Sequence, residues 1–296
     1  MGNISKLAAI GLFQEYGLEG LPARVYPASS RPGLTELTRD FPGTPLFMLR
    51  TGSDVEERNL PRKAGVALAD VPAWAAELPP RLHLVVQPYA SVTYSVELAF
   101  WPNGYMAELV PGIWELSTDL QPAVVTMWQN ALSLSATLAP QPAVFYLPDT
   151  GYTAMAALVA DWQVVAVVNW VRHHYDRLVR LHDGLGGGGI GLKLHDAVGY
   201  GLSPQNIRAN LPPFTPESIV SAPSGLAMVS SVSDSLPHAD AILLDVSVAR
   251  EDHAELAALI ARLHQAGIGT VYLKSGLLSH LAIALREAGF TVRRYA

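Results

Sequence analysis

The 296-residue chain contains no cysteine, which excludes disulfides and thiolate metal sites and suits a cytoplasmic protein. Charge is scarce as well: 16% of residues are charged against 50% hydrophobic, and the formal net charge is −6. That mild acidity, without a basic stripe, argues against nucleic acid as a partner. No run of about 18 apolar residues goes uninterrupted, so no membrane span is expected. The stretch "VVAVVNWV" is too short to span and reads as a buried strand or helix turn. The opening "MGNISKLAAIGLFQEYG" lacks the charged, apolar and small-residue succession of a signal peptide. Lysine occurs only at Lys6, Lys63, Lys193 and Lys274. The length suits one large domain or two smaller ones, at about 100–200 residues each.

What is present is mixed α and β patterning. Low-charge, β-branched stretches recur as "TPLFMLR", "LHLVVQPY", "TYSVELAFW", "AELVPG", "AVVTMW" and "AILLDVSV". The alternation in Thr93–Phe100 suits a half-buried antiparallel strand. Helical spacing covers Ser5–Tyr16, Ala154–Leu181, Glu251–Gln265 and Ser279–Ala288. The segment "ANLPPFTPESIVSAPSG", residues 209–225, carries four prolines that neither a helix nor a central strand accommodates, so it reads as a boundary. Beyond it, "AILLDVSV", a helix and "GTVYL" form a crossover unit with parallel pairing, and Gly267 and Gly289 stop the two helices.

Several residues are candidates for chemistry. Ser279 stands where an N-cap belongs, which places His280 in the first turn of an apolar helix. The unpaired amides there favour an anion carried on the imidazole, while a plain helix-end histidine is the alternative. Arg50 ends an apolar strand, as a surface cation or facing an anionic ligand. Gln87, at the end of "LHLVVQ", is able to pair with an adenine edge or with neighbouring backbone. "LHDGLGGGGIG" (181–191) reads as a hairpin tip or lid, with a phosphate cradle as the alternative. His173 and His174 are adjacent and diverge by about 100° on a helix, which rules out joint chelation. For magnesium the better candidates are Glu108, Glu115 and Asp196.

These pieces occur in an order that resembles the phosphoenolpyruvate synthase and pyruvate phosphate dikinase superfamily. "GNISKLAAIGLFQEYGLEGLPARVYP" is similar to the family's opening lysine motif. "LRTGSDVEERNLPRKAGV" is similar to its arginine stretch, and "VVQPYASVTYSVELAFWPNG" to its VQxMV strand and following hairpin. "AELVPGIWELSTDLQPAVV" resembles the IEAxxGLGExLVSG segment, and "VSAPSGLAMVSSVSD" the opening of the phosphohistidine domain. "SGLLSHLAIALREAGFTV" is similar to the GGxTSHxAIxARExGxPAV signature. The order extends over residues 1–120 and 190–296.

The resemblance implies an α+β fold: an ATP-grasp-like nucleotide-binding domain over 1–210 and a small α/β swivelling phosphohistidine-like domain over 220–296. It implies ATP and Mg2+ as cofactors, with Lys6 and Arg50 on the phosphates, Gln87 by the adenine, and Glu108 and Glu115 near the metal. His280, supported by Ser279, would carry a phosphoryl group to an unknown small-molecule or protein acceptor. The chain departs from the pattern in three places. "GGGIGLKLHD" has no carboxylate where the family's DIEWA strand places one. "LSPQNIR" spaces Gln205 and Arg208 by three, and "KSGLLSH" replaces GGxTSH. Two alternatives accompany the dikinase reading: a degenerate nucleotide-binding or scaffolding relative, and an ATP-grasp carboxylate–amine ligase.

Overall fold

The computed structural model describes residues 4–18, 20–53, 60–113, 122–128, 131–135, 140–147, 151–211, 225–231, 233–245, 253–274 and 276–295. The fold is mixed α+β. Helix α1 (Lys6–Glu15) begins where Ser5 accepts the amide of Ala8 through its side chain, the expected cap. Strands β1 (Arg24–Tyr26), β2 (Leu46–Gly52), β3 (Arg62–Ala67) and β4 (His83–Pro88) form an antiparallel sheet in the order β1-β4-β2-β3. Helices α2 (Leu34–Asp40) and α3 (Val71–Ala76) cover one face of it, where Phe47, Leu49, Leu84 and Val86 are buried against Leu37 and Val71.

Strands β5 (Val92–Trp101), β6 (Gly104–Pro111), β7 (Ala123–Trp128) and β8 (Ala131–Ser135) continue into a second sheet. A hairpin of β9 (Gln141–Leu147) and β10 (Gly151–Ala157) follows, then α4 (Asp161–Gly184) and strands β11 (Gly189–Ala197) and β12 (Gly201–Leu211). The six-stranded sheet runs β12-β11-β5-β6-β7-β8 with antiparallel neighbours throughout. Residues 154–157, expected at the start of a long helix, pair instead with β9, and the helix starts at Asp161.

β5 is not half-buried as its alternation suggests. Tyr94, Val96, Leu98 and Phe100 pack under α1 and α4, while Ala99, on the opposite face, joins a different core. Both faces are covered because the C-terminal segment lies on the second one. There, β13 (Ala227–Val229), β14 (Ala241–Leu244), β15 (Thr270–Leu273) and β16 (Thr291–Arg294) make an all-parallel sheet connected through α5 (His253–Gln265) and α6 (His280–Glu287). The helix stops fall where expected, with Gly267 at φ 73° and Gly289 at φ 91°. No helix among the described residues is long and apolar enough to cross a membrane.

The two units share a core. Ala99, Met106, Val124 and Leu211 of the six-stranded sheet are buried together with Ile242, Leu273, Leu281, Ile283 and Leu285 of the C-terminal unit. This differs from the swivelling arrangement, which needs a weak, wetted contact between units, and the physical reason is the apolar row itself. Met106→Ala should therefore lower unfolding free energy by about 2–5 kcal/mol and move a single denaturation transition. Separate transitions for the two units in a urea melt followed by fluorescence and circular dichroism would contradict a shared core.

Candidate functional site

The two antiparallel sheets meet at residues 88–92, the direct connection from β4 to β5, and leave a cleft of about 720 Å3 between them. One wall comes from β2, β3 and β4 through Met48, Arg50, Arg62 and Gln87; the other comes from β5, β11 and β12 through Val92, His195 and Gln205. Arg50 and Arg62 are directly opposed across the β2–β3 pair, so both cations stand on the same face. Met48 and Gln87 are likewise opposed across β2 and β4. Strand alternation explains this placement: the residues between them, Leu49 and Val86, point into the core on the other side.

Gln87 is 6% exposed, and its carboxamide has no hydrogen-bond partner in the protein among the described residues. Because Gln87 lines the cleft, its carboxamide is open to a partner from within it. A ligand with a donor–acceptor edge would supply one. The cleft thus offers apolar surface, an amide, and two guanidinium groups.

The structure brings together two of the expected site residues, Arg50 and Gln87. Lys6 is exposed at the start of α1 and does not line the cleft. Glu115 lies outside the described residues. Ser279 caps α6 by accepting the amide of Ala282 at 3.2 Å. His280 is the first residue of that helix, and its side chain lies outside what is described. The glycine-rich stretch joins α4 to β11 away from the cleft. A Cβ at Gly188 would lie 2.5 Å from Asn210 Oδ1, and one at Gly189 would lie 2.3 Å from Trp101 Nε1. Close packing, rather than a phosphate, is the reason for those two glycines.

Glu108 has a different task from the metal-binding one expected of it. It is fully buried on β6, on the face turned toward the C-terminal unit. Its Oε1 accepts the amide of Leu277, and its Oε2 accepts that of Leu278 at 2.8 Å. A Cβ at Gly276 would lie 2.3 Å from Oε2, so only glycine permits this approach. Burial pushes the carboxyl of Glu108 up to about 7; the two amide bonds, Arg294 and Arg286 act in the opposite direction. Arg294 also donates to the carbonyl of Pro122 at 2.7 Å.

A row of polar groups crosses the same face. Asn206, Lys193, Glu97 and Glu108 are successive Cα partners on β12, β11, β5 and β6. Lys193 Nζ lies 3.5 Å from Glu97 Oε1, with the two side chains 8% and 14% exposed. Asp196, the third carboxylate considered for magnesium, accepts the hydroxyl of Thr93. Among the described residues no group of three or more acids and histidines converges on one point. These carboxylates, engaged by amides, an ammonium and a hydroxyl, do not fit a magnesium site. The signal for Glu108's role was absent from the sequence, because its partners lie 169 and 170 residues away.

No family model matches the chain, and no curated protein does. Among solved structures it is similar to an N5-carboxyaminoimidazole synthase from Aspergillus clavatus in complex with ADP and 5-aminoimidazole ribonucleotide. That pair is 14% identical with a TM-score of 0.38, over 69% of this chain and 43% of the other. It is also similar to the ATP-grasp ligase PsnB complexed with a minimal precursor, at 10% identity and TM-score 0.37 over 70% and 52%. The D-cycloserine synthetase DcsG gives 14% and 0.37 over 71% and 63%. The chain thus spans from 43% to 63% of the length of these three. Likenesses this distant carry no statement about its activity.

The dikinase resemblance is corrected on these findings. No family model supports it, and the similar structures are ligases and synthetases rather than phosphoenolpyruvate-utilising kinases. The geometry agrees with the correction: the turn before His280 is bound to Glu108, and apolar packing holds the helix behind it.

Glu108 also generates a pH dependence. Its folded-state value near 7 exceeds the ordinary 4.5, so the folded protein takes up a proton that the unfolded chain does not hold between those limits. The stabilisation from this group is complete below the unfolded value and is lost as pH rises through about 7. Urea melts should show stability from this source falling by up to about 3 kcal/mol from pH 4.5 to above pH 7. Glu108→Gln should flatten that segment of the profile; an unchanged slope in the variant would assign the dependence to other groups.

Proposed function

We propose that the cleft between the antiparallel sheets binds ATP, and that the chain is an ATP-dependent ligase of ATP-grasp type that joins a carboxylate to an amine. The observation that carries the nucleotide reading is the carboxamide of Gln87, which has no protein partner among the described residues and lines a cleft that also presents Arg50 and Arg62. The carboxamide supplies a donor and an acceptor to the edge of a base, while Met48 and Val92 cover its faces. Arg50 and Arg62 offset the phosphate charge through charge-assisted hydrogen bonds. The cleft is lined by residues between 21 and 205, and the C-terminal unit packs on another part of the same face of its larger sheet.

In the ligase reading, a carboxylate oxygen of the substrate attacks the terminal phosphorus, and the bond from that phosphorus to ADP breaks. The resulting acyl phosphate is then attacked at carbon by an amine; phosphate departs with the bonding pair, and the amine loses a proton to solvent. The contribution of this chain is to orient the nucleotide and to hold fixed cations where negative charge accumulates. Magnesium is common in phosphoryl transfer, but the described carboxylates do not form its site, and no step here is drawn through it.

A second reading, nucleotide binding without turnover, is favoured by one observation. Glu97 is paired with Lys193, and Glu108 is occupied by backbone amides. Two measurements separate the readings. Calorimetry with ATP and ADP, with and without Mg2+, should show binding that Arg50→Ala and Gln87→Leu each weaken by about one decade. Absence of binding under all these conditions would sink both. Hydroxylamine added during incubation with ATP and a panel of carboxylates should trap the acyl phosphate as a hydroxamate. Nucleotide binding with no hydroxamate and no ADP formation would leave the second reading alone.

A further inference from the structure

Next to the nucleotide cleft, a second cavity of about 640 Å3 opens between α1, the turn at residues 20–24 and the end of α2. Leu21 and Gln87 line both cavities, so the buried carboxamide stands at their shared wall. The floor is apolar, with Phe13 and Phe41, and the rim is charged, with Arg24 and Asp40. The wall is firmly held. The amide of Leu21 donates to Ser203 Oγ at 2.9 Å, and a Cβ at Gly20 would fall 2.3 Å from that same oxygen.

The two rim charges are of opposite sign and differ in how they are held. Asp40 accepts the Nε–H of Arg39 and the hydroxyl of Tyr26, each at 2.9 Å. Those bonds, with a smaller contribution from Arg24, hold its carboxyl below the usual range, so it is an anion at neutral pH. Arg24 makes no side-chain hydrogen bond or ion pair among the described residues, although its charge is felt at Asp40. A solely anionic ligand would meet Asp40, and a solely cationic one would meet Arg24. A small molecule carrying both charges satisfies the rim.

We propose that this cavity is a second ligand site for a small zwitterion of amino-acid type, its ammonium toward Asp40 and its carboxylate toward Arg24. The inference goes beyond the nucleotide reading and does not rest on it. An α-amino acid and the two ends of a short peptide share this chemistry and differ in the distance between the charges.

The test uses the full chain, 15N-labelled and without nucleotide, titrated with glycine, γ-aminobutyrate and glycylglycine. The side-chain NH2 signal of Gln87 and the Nε–H signal of Arg24 report occupancy. At least one zwitterion should give a saturable shift of both, and the spacing it prefers identifies amino acid or peptide. Arg24→Ala and Asp40→Asn should each weaken that binding by about tenfold. Since Asp40→Asn also disturbs Tyr26 and Arg39, the exposed Arg24→Ala serves as the variant whose folding is independent of the site. Absence of a saturable shift with every zwitterion would overturn the proposal. So would an equal response to acetate or methylammonium, which would reduce the cavity to a simple ion site. A failed ATP titration would bear only on the cleft.

Discussion

The arrangement of the C-terminal unit depends on one carboxylate removed from water. Transfer of an ion such as Glu108 into a protein interior costs several kcal/mol even after relaxation. Two backbone amides, each worth roughly 1.5–3 kcal/mol to a charged acceptor, and the fields of Arg286 and Arg294 offset part of that cost. The remainder appears as the elevated proton affinity of the group. The amides belong to residues 277 and 278, just before α6, so satisfying Glu108 orients the helix. The apolar residues of that helix then complete the core begun by Met106 and Val124. The charge specifies the docking position, and the apolar contact provides its strength.

The same sheet serves two purposes through strand alternation. One face receives α1 and α4. The other is divided along the strands: near Ala197 and Val92 it borders the cleft, and near Ala99 and Met106 it lies under the C-terminal unit. The polar row Asn206–Lys193–Glu97–Glu108 crosses between these regions. A chain with both a ligand cleft and an apolar interface on one sheet face needs such a transition. Lys193 and Glu97 neutralise each other where water is scarce on either side.

Much of the local structure was legible in the residues. Ser5 and Ser279 mark helix starts because a serine oxygen satisfies a first-turn amide, and Gly267 and Gly289 mark helix ends because left-handed backbone suits glycine. The parallel crossover from β14 to β15 followed from strand, helix and strand spacing. Residues 154–157 were misassigned because a small-residue segment suits either state, and the decision lay with its partner β9. Arg50 and Gln87 were recognisable as polar residues after apolar runs, although β2 continues past Arg50 to Gly52, and both line one cleft. His280 attracted attention through a local motif, but the structure gives that region an anchoring role through the neighbouring turn.

The sequence by itself determined the starts of α1 and α6 and the glycine stops after α5 and α6, because capping acts within a few positions. The tertiary structure alone decided what each polar residue meets. Glu108 looked like a ligand for a cation and became an acceptor for amides more than 160 positions along the chain. Arg24 and Asp40 share a cavity rim although they stand on separate elements, and Gln87 faces two cavities at once. The physical reason is the same throughout: backbone preference is a short-range property, whereas electrostatic partners and cavities are set by which surfaces pack together.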